Sequence, residues 1–287
     1  MGTEEFNMKS MPASSKTPLS PFQCPIRLRH LARPEFDAMS REVMAHVFAS
    51  QNELGCLCDE AVYQNDIALR LEAAGLGPVA KEVPVMVSLR DFTKTYYLDL
   101  VAQESFISEL KTTITLTKEH DSQLLNYLLL TETPHGKLVN LRPRSVEYRT
   151  VNAVVSATER RLFTFATDHW RPQTPRCGLL AEVFAELLTV WGAFLDYHLY
   201  EEALIYFLGG ESRVRQRVPL TRAGFSLGTQ LIMLVTDSIA FRVTALAPEA
   251  RNGYEAQLRR FLALTPLTAL HWLNLHHHEV QLVTLTR

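Results

Sequence analysis

The sequence is short of cysteine, of net charge and of long apolar runs, and each shortage closes off a class of protein. Only four cysteines occur: Cys24, Cys56, Cys58 and Cys177. Cys56 and Cys58 are set closer than the cysteines of a metal knuckle, and no second pair follows, so no zinc site is expected. Four thiols in 287 residues suit a reduced, cytoplasmic protein rather than a disulfide scaffold. Lysine and arginine total 29 against 31 aspartates and glutamates, a net charge of −2. The chain as a whole therefore exerts no pull on nucleic acid, and any such contact must come from a local patch. The opening stretch MGTEEFNMKSMPASSKTPLSPF has no apolar segment of the targeting kind. The most apolar later stretch, Leu231–Ala247, is broken by Asp237 and Arg242, so no membrane span is expected.

What remains is enough for about two folded units, with an apolar fraction of 47% to fill their cores. Prolines among serines and threonines mark residues 1–35 as a flexible tail. Met39, Val43, Val47 and Phe48 recur at helical spacing, and Gly55 ends that helix. A second helix is predicted from Asp59 to Ala74, with Glu60, Tyr63 and Ile67 along one stripe. Val83–Leu89 reads as a strand. Thr117 caps a helix over Lys118–Leu130, and Leu138–Leu141 and Val146–Val151 read as closing strands. Two helices, three strands, a helix and two strands predict an α/β sandwich around a small mixed sheet.

The stretch Tyr97–Lys111, YLDLVAQESFISELK, supplies two of those strands as a hairpin. Side-chain alternation puts Glu109 and Lys111 on one face of the second strand and Leu110 on the other. A three-residue loop, Gln103 to Ser105, places Asp99 opposite Glu109, about 5 Å away. Two carboxylates that close repel unless a cation lies between them. Hard oxygen ligands with room for water suit Mg²⁺ or Mn²⁺, and a neighbouring lysine can orient or deprotonate a water. That is the chemistry of metal-assisted phosphodiester hydrolysis. A Glu-x-Lys pair on a strand also serves as a solvated ion pair, and these residues alone leave both readings open.

Glu60, Asp99, Glu109-Leu110-Lys111 and Gln123 stand in the order and element types of the PD-(D/E)XK nuclease superfamily. The segments LGCLCDEAVY (Leu54–Tyr63), LDLV, ELK, HDSQLLNYL (His120–Leu128) and LVNL together resemble the bacterial GxxExxY protein family. The resemblance covers roughly residues 36–151. One position departs from the pattern: Leu57 stands where the family has glycine, which bears on the local turn. The resemblance implies that Asp99 and Glu109 bind Mg²⁺ or Mn²⁺, with the Leu110 carbonyl as a third oxygen. It implies that Lys111 positions or activates the attacking water, that Glu60 reaches the metal directly or through water, and that Gln123 orients Lys111 or a phosphate. Tyr63 would pack behind the site. A nucleic-acid substrate follows, DNA before RNA.

The second half echoes the first. LVNL (Leu138–Leu141) recurs as WLNL (Trp272–Leu275), and QLLNYLLLT (Gln123–Thr131) as QLRRFLALT (Gln257–Thr265). The hairpin falls on Leu231–Thr244, and Ala61–Leu69 on His198–Tyr206. The apolar skeleton survives but the chemistry does not. Asp99 maps to Ile232, Glu109 to Arg242, Lys111 to Thr244 and Glu60 to Tyr197, while Gln257 alone keeps its counterpart. The expected fold is thus α/β: two tandem restriction-endonuclease-like domains, each a small mixed β-sheet flanked by helices. The first is expected over 36–151 and a degenerate copy over 179–287. A connector over 152–178 holds a possible extra strand at Leu162–Thr167. The surplus apolar residues Trp191, Phe194, Leu195, Tyr206 and Phe207 suggest that the copies pack as an intramolecular pseudo-dimer. His276-His277-His278 reads as a solvated turn rather than a metal site. Arg142, Arg144 and Arg149, and Arg213, Arg215 and Arg217, are candidates for phosphate contact. Two functions stay open: a Mg²⁺-dependent nuclease, or a non-catalytic binding or scaffold protein on a nuclease fold.

Overall fold

Helix α1 (Arg33–Leu54) starts where Pro34 fixes the first turn and the Glu35 carboxylate accepts from the Ala32 N–H at 3.0 Å. It stops at Gly55, whose φ of 75° and ψ of −158° suit only glycine. Helix α2 (Glu60–Ala73) follows. Three strands come next, β2 (Val79–Leu89), β3 (Phe92–Ala102) and β4 (Phe106–Lys111), after a short β1 (Phe22–Gln23) near the start. Helix α3 (Lys118–Leu130) crosses to β5 (His135–Asn140), and β6 (Glu147–Asn152) closes the sheet. The computed structural model describes residues 20–287.

The first sheet has the order β1-β2-β3-β4-β5-β6. Every neighbouring pair is antiparallel except β4 and β5, which run parallel because α3 carries the chain across. The chain then makes a 3-10 turn at Glu159–Arg161 and strand β7 (Thr164–Ala166). Helices α4 (Pro175–Trp191), α5 (Tyr197–Phe207) and the short α6 (Glu211–Val214) follow. Strands β8 (Arg215–Arg222), β9 (Phe225–Thr236) and β10 (Ile239–Thr244), helix α7 (Pro248–Ala263), and strands β11 (Ala269–His276) and β12 (Glu279–Thr286) complete the chain. The second sheet has the order β7-β12-β11-β10-β9-β8, with β10 and β11 parallel across α7. Two six-stranded mixed sheets flanked by helices are the expected pair of restriction-endonuclease-like folds.

Details repeat between the halves. The Tyr63 hydroxyl donates to the Gly55 carbonyl, and the Tyr200 hydroxyl donates to the Gly192 carbonyl. The Asn140 amide bridges the Thr113 N–H and carbonyl; the Asn274 amide bridges those of Leu246. In each half the tyrosine ties the loop between the first two helices, and the asparagine ties the loop after the parallel strand.

The ends of the expected units shift. Residues 1–19 of the predicted tail lie outside the described residues. From Ser20 the chain is not a tail: Phe22 and Gln23 pair with Val87 and Met86, Leu31 is buried, and α1 begins at Arg33. The connector contributes β7, which pairs parallel with β12, so the extra strand is present. It also buries Arg160, whose guanidinium lies over the Phe22 ring at 5.4 Å.

The two halves pack head to tail, in layers. Helices α1 and α2 cover one face of the first sheet through Phe36, Val43, Ile67, Leu100 and Leu110. Its other face shares a continuous core with α3, α4, α5 and the second sheet, including Val85, Leu98, Leu128, Phe184, Leu199, Phe241 and Leu273. Helix α7 covers the far face of the second sheet through Leu258 and Leu262. Phe92 meets Trp191 and Tyr206 at 5.9 and 5.5 Å, and the Trp191 indole donates to the Ser88 carbonyl at 2.9 Å. A two-fold pseudo-dimer would join the same surface of each half. Here α4 and α5, the counterparts of α1 and α2, lie between the sheets instead. Their residues are apolar on two faces, as a helix pair buried on both sides must be.

Candidate active site

The hairpin builds the site. Leu100 pairs with Ser108, Val101 with Ile107 and Ala102 with Phe106, so the same register sets Asp99 opposite Glu109. The turn is three residues long, with Gln103 and Glu104 both at φ 51°. Glu109 and Lys111 share the β4 face that carries Ile107, under α3, while Leu110 points into the α1–α2 core.

Asp99 Oδ2 accepts from the Leu110 N–H at 2.7 Å, locking the two strands together. Lys111 Nζ donates to Glu109 Oε1 at 2.6 Å. Glu109 is fully buried, and its second oxygen has no hydrogen-bond partner among the described residues. Burial, then the neighbouring Asp99, push its carboxyl up to about 8. Burial likewise raises Asp99, against the pull of the Leu110 N–H that its carboxylate accepts from. Burial pulls the Lys111 ammonium down, but Glu109, Asp99 and Glu60 outweigh it and hold its pKa above the ordinary value.

Glu60 opens α2 and sits in the field of Lys111 and Asp99; burial raises its pKa. Leu57 is 83% exposed and free of left-handed strain. Gly55, whose carbonyl accepts from the Tyr63 hydroxyl at 2.5 Å, makes the turn after α1. Tyr63 is buried, as expected for a packing residue. Gln123 donates to the Tyr127 hydroxyl at 2.9 Å rather than to Lys111. Tyr127 in turn senses Glu109, Asp99 and Lys111, so Gln123 reaches the cluster through a second ring.

Two neighbours escaped the sequence reading. Gln64 donates to Glu82 Oε1 at 2.7 Å and to the Asp99 carbonyl at 2.8 Å. It lies one turn beyond Glu60 on α2, a spacing that could have drawn attention to it. Glu82 adds negative charge near Asp99 from a left-handed β2 position at φ 49°, which no sequence pattern announces.

Ionised Asp99, Glu109 and Glu60 would outnumber the one Lys111 cation. Among the described residues no three His, Cys, Asp or Glu side chains form a ready metal cage. Two carboxylates and a backbone carbonyl are nonetheless hard donors suited to Mg²⁺ or Mn²⁺, and the orphaned Glu109 oxygen is a ligand in want of a partner. The residues fit such an ion.

The second half presents no such cluster. Phe241 pairs with Met233, which brings Arg242 opposite Ile232 where Glu109 faces Asp99. Arg242 Nε lies 3.4 Å from the Tyr254 hydroxyl. Thr244, in the place of Lys111, is tied to Asn274 and Trp272 at 2.7 and 2.8 Å. Tyr197 opens α5 as Glu60 opens α2. The arginine clusters are largely engaged: Arg149 with Asp121 and Glu147, Arg215 with Glu201 and Glu211, and Arg142 with the Thr112 and Cys56 carbonyls.

Residues 37–151, a span containing the whole cluster, match the family model of the PD-(D/E)XK nuclease superfamily. No curated protein matches the sequence. Among solved structures, the crystal structure of SSO0001 is similar to 42% of this chain at 22% identity and a TM-score of 0.25. The match spans 60% of that chain's length and carries no argument about this one. No described helix is long and apolar enough to cross a membrane.

Proposed function

We propose that the chain is a divalent-metal-dependent nuclease acting through its first half, related within its superfamily to the GxxExxY proteins. The observation that carries this reading is the buried, half-unpaired Glu109 carboxylate set beside Asp99 and Lys111 on one hairpin face. Burying such a group unpaired is costly for a purely structural purpose. Asp99, Glu109 and the Leu110 carbonyl would hold Mg²⁺ or Mn²⁺, with Glu60 near enough to act directly or through water. When bound, the ion supplies Lewis acidity toward phosphoryl oxygens and lowers the pKa of water. Lys111 is held as an ammonium by its three carboxylate neighbours. Its role is therefore to orient the attacking water and steady developing negative charge, not to accept a proton. Gln123 fixes the Tyr127 hydroxyl beside the cluster. Nucleic acid is the substrate, with DNA taken before RNA.

The second half is read as a degenerate copy. The repeated tyrosine–glycine bond, the repeated asparagine bridge and the common strand order support duplication. Its loss of every charged site residue favours a second reading, a binding or scaffold protein on a nuclease fold.

Labelled single- and double-stranded DNA and RNA, incubated with Mg²⁺ or Mn²⁺, separate the two. Metal-dependent cleavage is expected, and Lys111→Ala and Asp99→Ala each lose it by at least ~100-fold, the scale of a removed charge-stabilising group. Cleavage that persists equally in both variants, or fails for all substrates, overturns the nuclease assignment and leaves the scaffold reading.

A further inference from the structure

A cleft lies apart from the carboxylate cluster, in the layer between the two sheets. It measures about 980 Å³, at the top of the roughly 300–1,000 Å³ range for ligand sites. One wall is α3 with Gln123 and Tyr127, the residues that back onto Glu109 and Lys111. The other wall comes from the second half: the loop from Phe194 to His198 and the turn between β11 and β12.

Aromatic rings dominate this cleft. Phe194 stacks on His277 with centroids 5.1 Å apart and planes 6° from parallel, and His277 stacks on His276 at 4.2 Å. Tyr197 lies against His198 at 3.9 Å, and Tyr96 against Tyr127 at 5.7 Å. The histidine turn is exposed at His277 and His278, and it also packs its rings against Phe194. Phe194 holds left-handed backbone at φ 73°, where a bulky aromatic residue is uncommon, while His277 at φ 54° sits in a hairpin turn that histidine tolerates. Strain of this kind concentrates where side-chain placement serves a purpose.

The charge beside the rings is mixed, with Glu119 and Asp196 lining the cleft as well as one lysine. Lys118 lines the cleft at the start of α3. Burial, then Glu201 and Asp196, raise the Tyr197 hydroxyl's pKa, and Arg242 opposes them.

We infer that this cleft binds single-stranded nucleic acid, stacking unpaired bases on the Phe194–His277 and Tyr197 rings. The inference rests on the nuclease reading and names the substrate form of that site. Aromatic rings fit exposed base faces, and a duplex hides its base faces inside. The second half acquires a purpose: it supplies the stacking wall for a strand cut by the first half.

The test is fluorescence anisotropy with the full chain in EDTA, where no cleavage competes. Fluorescein-labelled DNA and RNA single strands are compared with the same sequences as duplexes. A single strand is expected to bind at least ~10-fold tighter than its duplex, and Phe194→Ala and Tyr197→Ala each to weaken it roughly 5- to 50-fold, the range of one lost base stack. Tyr197→Phe keeps the ring and should bind as wild type, which separates stacking from misfolding. His277→Ala, at an exposed turn, provides a second check. A 2-aminopurine base in the strand should lose fluorescence on binding to wild type and not to Phe194→Ala. Equal or tighter duplex binding, or alanine variants that bind like wild type, overturns the inference. The DNA and RNA arms identify the sugar. Tight single-strand binding with no cleavage in Mg²⁺ or Mn²⁺ would remove the nuclease reading and leave the cleft. Cleavage with no dependence on the cleft variants would do the reverse.

Discussion

Glu109 sets the balance between stability and chemistry. Folding raises its carboxyl from an ordinary 4.5 to about 8. Such an acid binds more protons folded than unfolded, so stability is full below pH 4.5 and declines as pH climbs to about 8. Asp99 is shifted in the same direction. In EDTA the protein should therefore melt at a lower temperature at pH 8 than at pH 5. Glu109→Gln should raise the pH 8 midpoint by ~2–4 °C or more, about 1 kcal/mol, and bring the two pH values closer. Mg²⁺ or Mn²⁺ should restore wild-type stability at pH 8 and do nothing for Glu109→Gln. Thermal melts across pH, with and without metal, check this. A variant no more stable than wild type at pH 8 would mean that Glu109 is already compensated.

The helix-pair loops carry the next level of organisation. Gly55 and Gly192 each follow the first helix of a pair, at φ 75° and 83° with ψ near ±180°, a region that costs other residues ~1–3 kcal/mol. A Cβ on Gly55 meets nothing within 4 Å, whereas on Gly192 it would stand 2.8 Å from Arg160 Cβ. Gly192→Ala should therefore destabilise more than Gly55→Ala by denaturant titration. Gly55→Ala should cost activity out of proportion to its stability, because Gly55 and Tyr63 set the entry of α2 and so the place of Glu60. If the two substitutions prove equal, the contact of the connector with the second half is looser than its buried Arg160 implies.

At the scale of the molecule, one core joins what the sequence divides. Trp191, Phe184 and Leu199 bury against the first sheet and the second together. The chain should unfold in one transition, and cleavage near Arg171–Arg176 should not release two stable halves. Phe92→Ala, which empties the pocket between Trp191 and Tyr206, should cost ~3–5 kcal/mol and move both halves' unfolding together. Fragments that fold separately after proteolysis would show that the shared core is incidental.

Sequence alone determined the elements and the hairpin. The 3.6-residue and two-residue periodicities, the glycine stops and the spacing around Gln103–Ser105 are local properties, so they located α1 to α3, β4 and the facing of Asp99 and Glu109. The apolar segments of the second half likewise located a second sheet. Tertiary structure decided what depends on contacts between distant segments. Gln123 turned to Tyr127 because that ring lies one helical turn away on the same face. Glu82 joined the cluster through a left-handed position in β2, and the histidine turn met Phe194 from another element. The halves stacked head to tail because α4 and α5 are apolar on both faces and must be covered on both. Periodicity tells that a face is buried; only the assembled chain tells against what.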